Sequence, residues 1–373
     1  MRIGIDINEA NVTNRVGSNQ YAFEILKRIE KLDKENQFEL FLSKQPVGDL
    51  PDERKNWTYK ILTPGFFWTQ WRLPLELATR REKIDVFLSL GHYGPRFSRI
   101  PSVVVVMDLA FVYYPDFFRK IDLVKLASWT KYSVKKAKKV IAISQNTKKD
   151  LVIQYSIKPE KVVVAYPGFD KDSNKVASSK QIEKVRSKYN LGDEYILYVG
   201  TLQPRKNLVR LVEAFERIAD RDKRINLVLS GKDGWLYGDI KNKILNSKHK
   251  NKIKLTGYID ESDLPAIYAG ATCSLHPGLY EGFGLPVLES LASGTIPVAA
   301  KTGALPEAVG RAGILVDPFN IDSIGEGIEK AVKLMPEDKK RLLEEGSNQL
   351  IKFSWSESAG KIMEVVYEVA NQG

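Results

Sequence analysis

Short runs of apolar, largely β-branched residues alternate along the first half of the chain with amphipathic stretches of helical length. The predicted strands are Ile3 to Ile7, Phe38 to Leu42, Tyr59 to Leu62, Val86 to Leu90, Val103 to Met107, Val140 to Ile143 and Val162 to Ala165. Helices are predicted between them, for example over Tyr21 to Leu32 and Val124 to Lys138. This alternation is typical of a parallel sheet that helices cover on both faces.

The same alternation begins again after a polar stretch, Lys171 to Lys180, which is the predicted linker. The strands predicted beyond it are Tyr195 to Val199, Asn226 to Leu229, Ile253 to Leu255, Thr272 to Leu275, Ile296 to Ala299 and Gly313 to Val316. Helices such as Leu208 to Ile218 and Leu264 to Tyr268 separate them. The sequence therefore predicts an α/β protein with two doubly wound, Rossmann-like domains, residues 1–175 and 185–354, that face each other across a cleft.

The last stretch, Trp355 to Val369, has the 3.6-residue pattern of a helix. Its apolar face comprises Ile362, Val365, Val366 and Val369. A helix over residues 355–373 can cap the second domain or cross back to the first. The spacing of the apolar residues is compatible with both placements.

The composition, 43% hydrophobic and 28% charged, is that of an ordinary globular protein. No apolar run reaches the ~18 residues that a membrane-spanning helix needs. The first residues, MRIGIDI, resemble a strand rather than a signal peptide, so we expect a cytoplasmic protein. The one cysteine, Cys273, lies in an apolar run and is expected to be buried, and with only three histidines the sequence predicts no metal site.

The net charge of +11 favours anionic partners, and part of the excess is concentrated in one segment. Between Arg119 and Lys149, ten basic residues accompany a single acid, Asp122. Two interpretations stand: a basic helix that meets lipid phosphates, or the solvated face of an ordinary helix. The segment Pro64 to Leu77 adds aromatic residues that belong either to the core or to a membrane interface, namely Phe66, Phe67, Trp68 and Trp71. No nucleic-acid partner is predicted.

The most specific chemistry lies in Pro277 to Gly294, PGLYEGFGLPVLESLASG, where Glu281 and Glu289 are separated by seven residues. Glycines and Pro286 between them predict a loop that turns into a short helix. The N–H groups at such a helix start are unpaired and can hold an anion. Each glutamate alone has a structural interpretation, as a partner of the helix dipole or as a solvated loop residue. Ionised carboxylates are also strong acceptors for sugar hydroxyls, however, and the combination is more specific than its parts.

A second candidate is the predicted strand-to-helix loop Gly200 to Asn207, GTLQPRKN. Asn207 can cap the following helix, so Arg205 and Lys206 come directly before a helix N-terminus. Cations at that position oppose the helix dipole unless an anion is shared between them. The loop is therefore either an anion site or a turn with two exposed basic residues.

Two further candidates follow predicted strands of the first domain. Asp108 comes directly after an apolar run and either points into the cleft, where it can orient a hydroxyl, or caps a turn. Gly17 and Ser18 follow the first strand and allow a ligand to approach the backbone closely. No Gly-x-Gly-x-x-Gly motif follows either domain's first strand and no Walker loop is present, which weighs against a dinucleotide-binding fold.

These residues resemble a known family, the nucleotide-sugar-dependent glycosyltransferases of the GT-B fold, specifically glycosyltransferase family 4. The resemblance runs through most of the chain and is strongest in Tyr198 to Phe215 and in Ser274 to Ala300, which contains the two glutamates. Weaker family-like stretches are Val140 to Leu151, Leu255 to Ala271 and Thr302 to Pro318. Two separated motifs in the right order make the match specific.

The resemblance implies a role for each candidate. Lys206 and Arg205 would bind the donor diphosphate, Glu281 would bind the donor sugar, and Glu289 would hold the ribose. The remaining donor contacts would come from the backbone of Phe283, Gly284 and Leu285, from Tyr258, Ile259 and Leu264 near the base, and from Gly17 on the phosphates. The resemblance also implies transfer with retention of anomeric configuration, without a metal ion or cofactor, the leaving phosphate deprotonating the acceptor.

Two positions depart from the family pattern. Many relatives have a basic residue where this chain has Thr201 in the donor site, so the diphosphate site relies on Arg205 and Lys206. Many also have a histidine, which contacts the donor sugar, where this chain has Met107 before Asp108. Both departures put activity or donor choice in question.

The leading hypothesis is a hexosyltransferase of polysaccharide biosynthesis that uses a GDP- or UDP-sugar and a glycan or lipid-linked acceptor. The basic and aromatic segments add the hypothesis that the first domain contacts the inner membrane face. The alternative is a non-catalytic nucleotide-sugar-binding protein with a degraded site, suggested by Thr201 and Met107. A sugar phosphorylase or nucleotide-sugar epimerase is disfavoured because no pyridoxal lysine motif or epimerase carboxylate pattern is present.

Overall fold

The structure, a computed structural model, describes residues 1–15, 17–169 and 177–372. The chain forms two compact units, the first made of Met1–Gly168 with Phe353–Gly373 and the second of Phe169–Lys352. Most of the predicted linker, residues 171–176, lies outside the described residues, as does Val16 in the loop that contains Gly17. Every helix in the described part of the chain is too short or too polar to cross a membrane.

In the described part of the first unit, the sheet contains seven strands, all parallel, as the alternating pattern predicts. The strands are β1 Arg2–Asp6, β2 Gln37–Leu42, β3 Trp57–Ile61, β4 Val86–Ser89, β5 Ser102–Val106, β6 Lys139–Ala142 and β7 Val162–Val164. Their spatial order is β3-β2-β1-β4-β5-β6-β7, so the direction of winding reverses between β1 and β4. In sheets of this type, ligands bind beyond the carboxyl ends of the strands at that reversal.

Within residues 1–15 and 17–168, five α-helices, one π-helical turn and two 3-10 turns connect these strands. The helices are α1 Ser18–Leu32, α2 Leu73–Thr79, α3 Ala110–Tyr113, α4 Lys120–Lys136 and α5 Gln145–Tyr155, and the π-helical turn is Trp68–Arg72. On α5 the side chain of Ser144 accepts a hydrogen bond from Thr147 N, which caps the first turn.

The second unit repeats the architecture with six strands among its described residues, again all parallel. They are β8 Glu194–Val199, β9 Ile225–Ser230, β10 Ile253–Gly257, β11 Cys273–His276, β12 Pro297–Ala300 and β13 Ile314–Val316, in the order β10-β9-β8-β11-β12-β13. The helices are α6 Ser179–Tyr189, α7 Leu208–Arg221, α8 Gly238–Leu245, α9 Leu264–Ala269, α10 Leu285–Ala292, α11 Leu305–Val309, α12 Ile321–Val332 and α13 Pro336–Leu350. The predicted fold class is confirmed for both units.

Apolar side chains on both faces of the second sheet hold its helices in place. Leu211 and Phe215 of α7 are buried against one face, and Ile267 of α9 is buried against the other. Burial of a large apolar side chain stabilises a fold by about 1.5–3 kcal/mol. The buried side chains of α7 and α9 therefore account for the presence of helices on both faces of the sheet. Cys273 is fully buried in β11, as predicted, and burial raises the pKa of its thiol to about 12.

The C-terminal helix, α14 Trp355–Asn371, lies on the first unit, where it packs against α1 and the strands β4, β5 and β6. Ser354 caps it by accepting a hydrogen bond from Glu357 N. The apolar face recognised in the sequence is buried. Tyr367 adds a polar contact, donating from its hydroxyl to Asp33 Oδ2 at 2.5 Å.

Three neighbouring strand ends of the second unit are tied together by backbone hydrogen bonds. Gly200 N donates to Ser230 O at 2.9 Å and Gly231 N donates to Gly257 O at 2.8 Å. Gly231 has a φ of +143°, and a Cβ atom built on it would lie 2.0 Å from Gly200 O. Only glycine fits there, so the loops after β8 and β9 can lie side by side.

We expect the Gly231→Ala variant to lower the free energy of unfolding by about 2 kcal/mol or more, because both the backbone conformation and the Cβ contact are unfavourable. Urea unfolding measures the change. Gly325→Ala in α12 is the control, since nothing lies within 4 Å of its added Cβ and alanine favours a helix by about 1 kcal/mol. Equal stabilities for the two variants would contradict the argument.

Candidate functional site

The loops that follow β8 and β11 meet at the carboxyl edge of the second sheet, because these two strands are parallel neighbours. Leu279 N donates to Arg205 O at 2.9 Å, which joins the two loops directly. After β8 the chain makes a short 3-10 turn, Pro204–Lys206, and Asn207 then takes a left-handed conformation before α7 begins. Two loops recognised separately in the sequence thus form one site.

Asn207 occupies the N-cap position of α7, as predicted, so Arg205 and Lys206 come directly before the helix. The Asn207 side chain, however, makes no cap hydrogen bond. Its amide nitrogen instead donates to Pro277 O at 3.1 Å and to Pro318 O at 2.7 Å. Asn207 therefore joins the loop after β8 to the loops after β11 and β13, which orients the two preceding cations.

Glu281 lies between those two cations. Its Oε1 accepts a hydrogen bond from Lys206 Nζ at 2.6 Å, and its Oε2 accepts one from Arg205 Nη1 at 3.1 Å. The Arg205 guanidinium also donates to the carbonyl of Tyr280. Burial raises the pKa of Glu281, but the charges and hydrogen bonds of Lys206 and Arg205 outweigh burial and leave the pKa below its ordinary 4.5. The carboxylate is ionised at neutral pH.

A third loop, which contains Thr302 and Ala304, also contacts the segment that carries Glu281. It was not among the sites predicted from the sequence. Ala304 N donates to Glu281 O at 3.0 Å, and Thr302 Oγ1 donates to Gly278 O at 3.1 Å. Gly303 has a φ of +57°, and a Cβ atom there would lie 2.8 Å from Glu281 N. The signal for this loop is the weak family-like stretch that begins at Thr302.

Glu289 lies on α10, which begins after Gly284, with Pro286 in its first turn, as the sequence predicts. The Tyr268 hydroxyl donates to Glu289 Oε2 at 3.1 Å. Burial raises the pKa of Glu289 and is only partly opposed by that hydrogen bond. The two glutamates thus differ: Glu281 is stabilised in the ionised form, whereas Glu289 is less acidic than an ordinary glutamate. Phe283, Gly284 and Leu285 form the backbone at the start of α10.

The residues predicted to lie near the base differ in how exposed they are. Tyr258 is exposed beyond the end of β10, and the ammonium of Lys232 lies 4.6 Å from the centre of its ring. Leu264 is half-buried at the start of α9. The side chain of Ile259 is buried in the core, so a contact with a base would come from its backbone. Thr201 is one of the two positions that depart from the family pattern. Its carbonyl accepts a hydrogen bond from the Tyr198 hydroxyl at 3.1 Å.

The two candidates of the first unit lie at strand ends of that unit. Asp108 Oδ1 accepts a hydrogen bond from Ala110 N at 2.9 Å, the bond of an Asx turn before α3, so the turn interpretation is confirmed. Gly17 precedes α1 with a φ of +53° and has no atom within 4 Å of an added Cβ. Roles for both in donor binding stay predictions. Within the described residues, no cluster of three or more His, Cys, Asp or Glu side chains is arranged to hold a metal.

The first unit also presents aromatic and basic residues together, which we call the aromatic-basic surface. Its aromatic members are exposed, namely Phe66, Phe67, Trp71 and Phe97. Its basic members are exposed lysines of α4, namely Lys120, Lys125, Lys131, Lys135 and Lys136. Ring contacts connect the aromatic members to α4, which carries Trp129 and Tyr132. The ring centres of Phe67 and Trp129 lie 6.4 Å apart, and those of Phe97 and Tyr132 lie 6.2 Å apart. Of the aromatic run, only Trp68 turns inward, donating to Asp6 Oδ2 at 2.8 Å.

Comparison with known proteins agrees with this architecture. Residues 17–173 match the family model described as Glycosyltransferase Family 4, and residues 179–349 match the one described as Glycosyl transferases group 1. O-antigen chain mannosyltransferase B of Escherichia coli is 26% identical over 356 residues, 91% of this chain and 92% of that protein. The serotype-specific mannosyltransferase WbdA of Escherichia coli is 28% identical over 250 residues, 65% of this chain and 29% of that protein.

Solved structures share the fold at lower sequence identity. HepE of Anabaena, in complex with UDP and glucose, superposes with a TM-score of 0.76 at 19% identity, covering 99% of this chain and 100% of that one. The two family matches, the two parallel-sheet units and this likeness lead to one conclusion. The chain belongs to family 4 of the glycosyltransferases with the GT-B fold.

Proposed function

We propose that this protein is a retaining hexosyltransferase that moves a hexose from a GDP- or UDP-sugar to a glycan or lipid-linked acceptor without a metal ion or cofactor. The observation that carries the proposal is the cluster of Arg205, Lys206 and Glu281 beside the start of α10. Family membership supports it, since the family transfers glycosyl groups.

Charge explains what the cluster can do. Breaking a sugar–phosphate bond builds negative charge on the leaving diphosphate, so groups that meet this charge stabilise the transition state more than the ground state. Lys206 and Arg205, both paired with Glu281, would meet this charge with their two positive charges. The N–H groups of Phe283, Gly284 and Leu285 at the start of α10 would add donors for the phosphates.

Glu281 binds the hexose in this proposal. Its two oxygens are each bonded to one cation, which fixes the orientation of the carboxylate. Each carboxylate oxygen has a second lone pair that can accept a bond from a sugar hydroxyl. Glu289 would accept from the ribose hydroxyls, and Tyr258 and Leu264 would contact the base.

The same electrostatics argue against Glu281 as the base that deprotonates the acceptor. Its pKa lies below the ordinary value because Lys206 and Arg205 stabilise the ionised form, so it is a weak base at neutral pH. The leaving phosphate would take that proton on the same face of the sugar, which gives retention. Asp108 and Gly17 would contribute a hydroxyl contact and a close backbone approach from the first unit.

The names of the relatives narrow the choice of donor sugar and of biosynthetic pathway. Two relatives are mannosyltransferases, one of them acting on the O-antigen chain, and HepE was solved with UDP and glucose. We therefore propose mannose or glucose as the hexose and polysaccharide biosynthesis as the setting. A thermal-shift screen across GDP- and UDP-hexoses, followed by donor hydrolysis with the best binder, identifies the donor.

The second candidate function, a non-catalytic nucleotide-sugar-binding protein, is favoured by Thr201 and by Met107, which replace residues that many relatives use. Tight nucleotide binding without release of nucleotide from any donor, with or without acceptor, would support it. Measurable transfer would exclude it.

The aromatic-basic surface supports a peripheral contact with anionic lipid on the cytoplasmic side of the membrane. Phe67 and Phe97 both have positive φ, at 45° and 60°, a conformation that large side chains rarely adopt. Residues held in a strained backbone conformation cluster at ligand-binding and switch sites. The neighbouring lysines of α4 would meet lipid phosphates while the aromatic rings enter the interface, bringing the enzyme to a lipid-linked acceptor.

We expect Lys206→Ala to lower kcat by about 100-fold, because it removes one charge that stabilises the leaving diphosphate. Glu281→Gln should lower kcat/KM for the donor by about tenfold or more, since the amide keeps the shape but loses the charged acceptor. Steady-state transfer assays measure both. Lys248→Ala, which removes an exposed lysine paired with Asp220, is the control and should leave transfer unchanged. If all three variants matched the wild type, the site would be wrongly assigned.

Donor affinity should fall on the acid side of neutrality because of Glu289. Its pKa is raised above the ordinary 4.5, so it takes up a proton before Glu281 does and loses part of its capacity to accept from the ribose. The measurement is the Kd of an intact nucleotide sugar against pH, since the terminal phosphate of a free nucleoside diphosphate itself titrates near roughly pH 6. Glu289→Gln should bind more weakly at neutral pH and lack this acid limb; an unchanged pH profile in the variant argues against the role.

Flotation with vesicles tests the membrane contact. The protein should float with vesicles that contain phosphatidylglycerol and not with neutral vesicles, and Lys131→Glu with Lys135→Glu should abolish binding, at roughly 1 kcal/mol per basic residue. Phe97→Ala should weaken binding, whereas Phe319→Ala, an exposed phenylalanine of the second unit, should not. Binding that is independent of lipid charge would refute the proposal.

A further inference from the structure

A row of buried polar side chains lies beneath the two glutamates of the second unit. His276 Nε2 lies 2.9 Å from Ser274 Oγ, and Ser274 Oγ lies 2.6 Å from Ser290 Oγ. Ser290 Oγ donates to Thr295 O at 2.8 Å. Ser274 and Ser290 are fully buried, and His276 and Thr295 are nearly so. The row joins strand β11 to helix α10 through hydrogen bonds.

The last group in the row is the carbonyl of Thr295, and it fixes the direction of every hydrogen bond in the row. Thr295 O is a carbonyl and can only accept, so the single hydroxyl proton of Ser290 is used there. Ser274 must then donate to Ser290, which uses its own proton, and His276 Nε2 must donate to Ser274. His276 is therefore the tautomer with its proton on Nε2, and its Nδ1 carries a lone pair.

The two ends of the row lie close to the two glutamates. At one end, His276 lies within electrostatic range of Glu281 and Lys206, and burial lowers the pKa of its ring to about 3, so the imidazole is neutral. At the other end, Thr295 Oγ1 donates to Tyr268 O at 2.6 Å, and the Tyr268 hydroxyl donates to Glu289. Ser290 is also the residue next to Glu289 on α10.

A buried row of this kind costs stability unless every member is satisfied, and apolar residues of similar size would pack at least as well. Satisfied networks instead impose one arrangement, because each hydroxyl has a single proton and a single useful orientation. The benefit here is geometric: Glu281 follows β11 and Glu289 lies on α10, and the row fixes β11 relative to α10.

We propose that His276, Ser274 and Ser290 are positioning residues that set the placement of Glu281 and Glu289 relative to each other, and hence of the donor's sugar relative to its ribose. This inference rests on the proposed function, in which these glutamates bind the two sugars. The three residues touch no substrate themselves. They act by holding the strand and the helix that carry the two carboxylates.

The tautomer can be tested without any ligand. Nitrogen-15 NMR of the three histidines, with His276→Asn to assign the signal, reports which ring nitrogen carries the proton. The expected result is a protonated Nε2 with slow exchange, and a ring that stays neutral well below its ordinary pKa of 6.5. A neutral ring with its proton on Nδ1 would overturn the direction of the row.

The positioning role is tested by a matched pair, Ser274→Thr and Ser274→Val. The two variants have the same shape, and only threonine keeps the hydroxyl. Ser274→Val should raise the KM for the nucleotide sugar and the Kd of the nucleoside diphosphate by about five- to tenfold relative to Ser274→Thr, the loss expected for one buried hydrogen-bonded link. The kcat should change less than KM, because the phosphate-binding cations remain in place.

Ser293→Ala is the control, since it also removes a buried hydroxyl near the end of α10, one that has no hydrogen-bond partner among the described residues. Its donor KM should equal that of the wild type. If Ser274→Val and Ser274→Thr bind donor equally well, the inference fails while the proposed function stands. If the wild type binds no nucleotide sugar and transfers nothing, the proposed function fails, and the NMR result still decides the structure of the row.

Discussion

The candidate site depends on the pairing of charges that are largely removed from water. A carboxylate left without a partner in such a place costs several kcal/mol, and so does a lone ammonium or guanidinium. Arg205 and Lys206 follow β8 and Glu281 follows β11, so their pairing determines how far apart the two loops can lie. Glycines with close backbone contacts, Gly231 and Gly303, support the loops from behind. The charged groups are thus oriented before any substrate arrives, which electrostatic catalysis requires.

Much of this could be predicted from the sequence. Alternation of apolar runs with amphipathic stretches gave the number and type of strands in each unit, because burial on both faces of a parallel sheet leaves a strong signal. Glycines, a proline and paired glutamates located the loop before α10. The interaction between Lys206 and Glu281 could not be predicted from spacing, since the two are 75 positions apart and meet only because β8 and β11 are neighbours. Asn207 shows the same limit: its local pattern is that of a cap, and its partners lie on distant loops.

The aromatic segment of the first unit shows a second reason why sequence patterns fail. Apolar periodicity assigns side chains to a face only when the backbone follows a regular helix or strand. Here the chain passes through a π-helical turn, Trp68–Arg72, after a left-handed residue at Phe67, so the usual 3.6-residue assignment does not apply. Trp68 points inward while Trp71 is exposed. The core interpretation therefore applies only to Trp68, and the membrane-interface interpretation of the exposed rings stays a prediction.

The C-terminal helix α14 has a consequence for how the protein is made. The first unit is discontinuous in sequence: its sheet is formed by residues up to 168, but one of its covering helices comes from 353–373, after the whole second unit. On the ribosome, the second unit can complete its core while the strands β4, β5 and β6 still lack that cover. The first domain to be synthesised is therefore the last to be finished, and its exposed apolar sheet face is the part of the nascent chain that most needs protection.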